Sequence, residues 1–367
     1  MDSEPKEGVF APGASSASGQ SSGSWHGSSG LSAGAAAVLE SSASAAPVPI
    51  APLAPAPGGK RPKQGRIIAV GGGKGGVGKS LVTSSLGICL ARHGKRVVVV
   101  DADLGGANLH TCLGLTTPDR TLSDFINRRV PTIEDVIVES GVKNLGLISG
   151  AHDHLTASNL KYFQKTRLLS RIAQVDADII LLDIGAGISF NIVDFFLIAE
   201  QGILVVIPEP SSIENAYRFL KMSFYRHLWR SLKASPARKV VEQAMDQKNN
   251  VGIRTPFDLL EAVERIDAAS GRYLKEQALQ FRPRLVVNQL RYPEDERLGH
   301  SMAVVCRKHL GIDIESLGAV GFDESVWRAN RKKRPFMLDF PESSAGRSLE
   351  QIARALLLAE PRPARTN

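Results

Sequence analysis

Four glycines and two lysines fall within the eight residues Gly73-Lys74-Gly75-Gly76-Val77-Gly78-Lys79-Ser80. Glycines at that density let the backbone curl until successive N–H groups converge on one point, which is how a chain holds phosphate oxygens. Lys79 would bridge the β- and γ-phosphates of a nucleoside triphosphate, and the Ser80 hydroxyl would ligate Mg²⁺. Gly73 through Leu81 are thus the expected nucleotide-contacting run. A glycine-rich turn that binds nothing is the bland alternative. It accounts poorly for an apolar run directly before the loop and a helical pattern directly after it.

Carboxylates recur at the ends of two other apolar runs. Asp101-Ala102-Asp103 follows Val97-Val98-Val99-Val100, and Asp183 follows Ile179-Ile180-Leu181-Leu182. A carboxylate ending a hydrophobic strand is placed to hold Mg²⁺ through water, the expected role of Asp183. Asp101 and Asp103 alternate along an extended chain, so they cannot do identical jobs. Gly185 and Gly187, just beyond Asp183, would let the backbone rearrange when a γ-phosphate is lost.

The elements that must position these groups follow from the same runs. Ile67–Val70, Val97–Val100, Leu145–Ile148, Ile179–Leu182, Ile203–Ile207, Leu285–Val287 and Leu317–Val320 are short and apolar, and read as strands buried on both faces. Helical patterns, such as Lys79 to His93, separate most of them. That alternation predicts an α/β fold, a mainly parallel twisted sheet flanked by helices, with ligands at the carboxyl ends of the strands. Residues 223–283 carry helical patterning without a strand and are expected to form a helical insertion on a core spanning 63–360. Residues 1–62, rich in Ser, Gly, Ala and Pro, lack the apolar residues needed to offset ordering entropy and are expected to be a disordered arm. Residues 361–367 form a tail.

No apolar run reaches the length of a membrane span, and no basic region followed by an apolar core marks a secretory signal, so a cytoplasmic location is expected. The three cysteines, Cys89, Cys112 and Cys306, form no CxxC pair and are expected to be buried thiols. The formal net charge of +8 is uneven. Seven Lys or Arg residues and no carboxylate lie between Ala216 and Val240, and Arg328 with Arg331-Lys332-Lys333-Arg334 forms a second cluster. Either stretch (218–239 or 328–334) could meet an anionic membrane or DNA, or could be a solvated face.

A lysine directly after the first glycine is not required by an ordinary phosphate loop. With it the loop reads KGGVGKS, which resembles the deviant Walker A loop of the MinD/ParA ATPases. The resemblance covers about residues 66–222 and 283–358. Asp183-Ile184-Gly185-Ala186-Gly187-Ile188-Ser189 and Pro208-Glu209-Pro210-Ser211-Ser212-Ile213 resemble the MinD-like flagellar-number regulators, the FlhG/FleN branch. The resemblance implies that Lys74 crosses to a partner's nucleotide in an ATP-dependent homodimer. It also implies that Asp103 orients the attacking water, that Asp101 supports the Mg²⁺ hydration shell, that Asn108 lies in switch I, and that Asn288 contacts adenine. ATP and Mg²⁺ are then the cofactors, a protein partner stimulates hydrolysis, and the switch positions or regulates a cellular structure. A regulatory module with little hydrolysis, or an amide ligase of the cobyrinate synthase type, would share the fold. The latter does not generally require Lys74. Scaffold-loading ATPases of the Mrp type need a CxxC that is missing here.

Overall fold

The computed structural model describes residues 65–359 except 104–105, 151–159, 233–234, 246–252 and 254. The arm expected over 1–62 and the tail over 361–367 lie outside the described residues.

Eight strands form one sheet: β1 (Arg66–Gly72), β2 (Val97–Ala102), β3 (Ile137–Glu139), β4 (Leu145–Ile148), β5 (Ile179–Ala186), β6 (Gln201–Val206), β7 (Arg284–Leu290) and β8 (Glu315–Gly321). Their order is β3-β4-β2-β5-β1-β6-β7-β8, and every pairing is parallel except β3 with β4. β2 is buried along its whole length, as expected for a central strand covered by helices on both faces. All seven expected strands are present. The edge strand β3 was not expected, because three residues, two half-buried and one exposed, are too few to show a pattern. β5 runs on through Ala186, so Asp183 and Gly185 lie within the strand rather than beyond it.

Between β1 and β6 lie α1 (Lys79–Arg92), α2 (Leu109–Cys112), α3 (Leu122–Ile126), α4 (Tyr162–Ile172) and α5 (Phe190–Ile198). Between β6 and β8 lie α6 (Pro210–Ser231), α7 (Arg238–Met245), α8 (Pro256–Ile266), α9 (Ala268–Gln280) and α10 (Leu298–Leu310). α11 (Glu324–Arg331), α12 (Phe336–Asp339) and α13 (Ser344–Leu358) follow β8. Two apolar cores form, one on each face of the sheet. α1 and α13 bury Leu86, Ile88, Leu90, Leu349, Ile352 and Leu356 on one side, and α5 and α6 bury Phe195, Phe196, Phe219 and Phe224 on the other. No helix among the described residues is long and apolar enough to cross a membrane.

The helical insertion expected over 223–283 begins inside a helix, since α6 runs through residue 223 unbroken. Pro210 opens it at the first helical position, and Leu220, Phe224 and Leu228 continue one buried stripe with no breaker between them. The helices α7 to α9 follow.

Part of the basic stretch 218–239 turns inward, while Arg218 and Lys239 stay exposed. Arg226 turns inward to Asp194 of α5, with Nε and Nη2 donating at 2.9 and 3.0 Å, and Lys165 of α4 reaches the same carboxylate at 2.5 Å. The Arg238 guanidinium stacks over Trp229 at 3.7 Å, and Lys221 lies 5.6 Å from the Tyr225 ring centroid. Arg230 is buried enough that desolvation pulls its pKa down. Lys233 lies outside the described residues. Arginine and lysine cover apolar surface with their stems and find partners, so a charge run along a helix need not be a charged surface.

Asp194 binds three helices together through two cations, and all three side chains are at most 14% exposed. Removing it leaves two buried charges unmatched. We therefore expect Asp194→Ala to lower unfolding stability by about 3–5 kcal/mol, measured by urea denaturation.

Candidate functional site

The glycine-rich loop leaves the carboxyl end of β1 and enters α1. Gly76 and Gly78 have φ of 78° and 91°, the left-handed region that side chains resist. Two other glycines are set by close approach. A Cβ on Gly73 would lie 2.1 Å from the Asn215 carbonyl oxygen, and one on Gly78 would lie 2.3 Å from Asn288 Nδ2. Asn288, at the end of β7 and 2% exposed, donates from Nδ2 to the Val77 carbonyl at 2.9 Å. Gln289 reaches the Gly76 carbonyl at 3.4 Å. Asn288 thus braces the loop from the side where a base contact was expected. Leu81 packs its side chain against the core of that face, so only its backbone amide is available to a phosphate.

The carboxylates meet because of strand register. Asp101 of β2 pairs directly with Asp183 of β5, and Asp183 pairs with Val70 of β1, just before the loop. Burial and then the Asp183 charge push the Asp101 carboxyl up to about 7, against the pull of two amides, Leu109 at 3.0 Å and Asp103 at 3.2 Å. Burial raises Asp183 to about 6, opposed by a hydrogen bond from Ser80, the Lys79 charge and the Thr83 hydroxyl at 3.3 Å. Asp103 is half-buried, and its carboxylate lies against Gly185, where a Cβ would come within 3.0 Å of Oδ1. A side chain at Gly185 would crowd that carboxylate, while Gly187 is favoured by its φ of 108°. Asn108 directly precedes α2, is exposed, and donates from Nδ2 to the Gly106 carbonyl at 2.9 Å. Leu104 and Gly105, between it and Asp103, lie outside the described residues.

Two buried carboxylates beside a hydroxyl, facing a loop of N–H groups, have a donor set of hard oxygens. Mg²⁺ suits it, since that ion keeps several waters and shares one or two carboxylates with substrate phosphates. A divalent cation would offset the burial that raises both pKa values.

The two lysines of the loop have different settings. Lys79 is buried beside Asp183, whereas Lys74 is half-exposed, its Nζ donating to Glu209 Oε2 at 2.8 Å and Ser211 Oγ at 2.9 Å. Glu209 and Ser211 lie at the start of α6, beyond the carboxyl end of β6. Sequence reasoning gave them no role, although a carboxylate just beyond a buried strand was the available signal. Cys112, expected to be buried, is only half-buried, and burial and the nearby Asp183 and Asp101 push its thiol up to about 11.

The model of the CobQ/CobB/MinD/ParA nucleotide binding domain matches residues 68–336. The antiactivator FleN of Pseudomonas aeruginosa is 30% identical over 292 residues, covering 79% of this chain and 85% of that protein. The septum site-determining protein MinD of Helicobacter pylori is 34% identical over 155 residues, 41% of this chain and 56% of that protein. Among solved structures, MinD of Pyrococcus horikoshii, complexed with Mg-ADP, aligns with a TM-score of 0.53 at 22% identity over 79% of this chain and 95% of that one. A ParA family ATPase from Chlorobium tepidum aligns with a TM-score of 0.54 at 16% identity over 80% and 98%. The brace of the glycine loop, the paired strand-end carboxylates and the extra lysine lie in the matched region, and the chain belongs to the CobQ/CobB/MinD/ParA nucleotide-binding family.

Proposed function

We propose that this protein is an ATP-dependent switch that dimerises on ATP and Mg²⁺, hydrolyses ATP to ADP and phosphate, and returns to the monomer. The observation that carries this proposal is the setting of Lys74. A lysine meant for its own nucleotide would have no need of Glu209 and Ser211. An ion pair with partners 36% and 53% exposed is worth about 0–1 kcal/mol, so it can hold Lys74 in the monomer and release it readily. Delivered to the partner's nucleotide, a cation at the developing phosphoryl charge is worth roughly 10³–10⁵ in rate.

The remaining roles follow from position. The amides of the loop and of the first turn of α1 cradle the phosphates, and Lys79 neutralises the β- and γ-phosphates. Ser80, Asp101 and Asp183 would hold Mg²⁺, which would supply charge stabilisation to the phosphates. Asp103, at the strand end and against Gly185, orients the attacking water and accepts its proton. When γ-phosphate leaves, Gly185 and Gly187 allow the end of β5 to move, and α5 follows directly after it. Asp101 ties the metal side to switch I through the Leu109 amide. The FleN and MinD relatives are named for antiactivation and for septum site determination, and we infer that this chain also acts by regulating or positioning a cellular structure through a protein partner that stimulates hydrolysis.

Three substitutions separate the steps. In Lys79→Ala the cradle cannot neutralise the phosphates, so ATP binding by calorimetry should fall to background, and wild-type affinity would overturn the site. Asp103→Ala should bind ATP normally and accumulate as a dimer in light scattering, with turnover reduced at least about a hundredfold. Lys74→Ala should bind ATP in calorimetry while phosphate release falls by roughly 10³ or more. Turnover at the wild-type rate in that variant would remove the trans role.

A further inference from the structure

Asp194 meets two cations where charge balance calls for one. Lys165 alone would neutralise it, and a second buried cation brings a desolvation cost of its own. Burial would raise the Asp194 carboxyl, yet Arg226 and then Lys165 hold it below the ordinary carboxylate range. What Arg226 adds to a lysine is a planar group. Its edge donates to both Asp194 oxygens, which leaves the faces of the guanidinium for aromatic rings. Two rings lie against it, with Cζ 5.0 Å from the Phe190 centroid and 4.3 Å from that of Trp229.

Phe190 is the informative partner. It is 51% exposed, so it adds little to the core, and it opens α5 with only Ile188 and Ser189 between it and Gly187. The Ser189 hydroxyl accepts from the Ile192 amide at 3.5 Å, a long contact for a helix cap. The exit of β5 is thus held from the α6 side by Arg226, through Phe190 and, one helical turn further on, through Asp194. At the other end of this short segment Gly185 lies against Asp103, whose Oδ1 a Cβ there would approach to 3.0 Å. Trp229 ties the arrangement to the next helix, since its Nε1 donates to Glu242 of α7 at 3.0 Å and Arg238 covers its ring.

We propose, on the ATPase reading above, that Arg226 is a positioning residue for hydrolysis. By holding Phe190 and Asp194 together it fixes the exit of β5, and with it the place of the Asp103 carboxylate. Its effect falls on turnover and not on nucleotide binding, because the phosphate cradle is built from β1 and α1. A displacement of about 1 Å at the reacting groups costs on the order of a hundredfold in rate.

The test compares phosphate release, ATP affinity by calorimetry and ATP-dependent dimer mass by light scattering in wild type, Arg226→Met, Arg226→Lys and Phe190→Ala. Lys165 still balances Asp194 in the Arg226 variants, and Phe190 is half-exposed, so urea denaturation should show all three folded. Arg226→Met should lower kcat roughly ten- to hundredfold, with ATP affinity and dimer mass as in wild type. Arg226→Lys should recover only part of that loss, since an ammonium keeps the charge but cannot pair with both oxygens and present flat faces. Phe190→Ala should lower kcat in the same way with both Asp194 ion pairs intact, which a purely structural Arg226 would not predict. The proposal is overturned if Phe190→Ala turns over as wild type does, if Arg226→Lys is fully active, or if the variants lose ATP affinity or the dimer rather than kcat. Wild type that releases no phosphate from ATP would instead remove the ATPase reading, and this role with it.

Discussion

The parallel register of β1, β5 and β2 is the constraint on which the site depends. It sets Val70, Asp183 and Asp101 at one level across three neighbouring strands, immediately before the glycine loop leaves β1. Two carboxylates side by side in a buried layer are unfavourable on their own, and both are pushed well above the ordinary carboxylate range. The register holds them there because shifting any strand by one residue would turn its fully apolar run against the wrong neighbours. The unfavourable pair is what makes the layer receptive to a cation.

The same sheet separates the two lysines. Lys79 begins α1 and is drawn down toward Asp183, while Lys74 sits on the exposed crest of the loop, where Glu209 of the neighbouring strand end meets it. A buried lysine beside a carboxylate is held by their attraction, which is stronger out of water. A half-exposed ion pair in water holds loosely. One loop therefore carries a buried cation and a half-exposed one, and the difference lies in depth rather than residue type.

Burial also sorts the positive charge. In the 218–239 stretch a count along the chain overstates the exposed charge, since Arg226 is taken up by Asp194, which lies 32 positions away, while Arg218 and Lys239 stay exposed. The 328–334 stretch keeps its charge outside because α11 and its turn have few carboxylates within reach. A linear count cannot distinguish these cases, since the partner of a buried arginine comes from another helix.

The sequence by itself determined the fold class and the local patterns of the candidate site. Gly73 to Ser80 between a strand and a helix, Asp101 and Asp103 after four valines, and Asp183 after an apolar run are local patterns. Backbone curvature and strand burial are imposed by neighbours along the chain, so short-range residue types suffice to reveal them. Only the tertiary structure decided that Lys74 rests on Glu209 and Ser211, that Asn288 braces Val77, that α6 continues past residue 223, and that Arg226 faces Asp194. Each of these contacts joins segments from different parts of the chain, and whether a polar side chain is paired or solvated depends on what the fold brings to it.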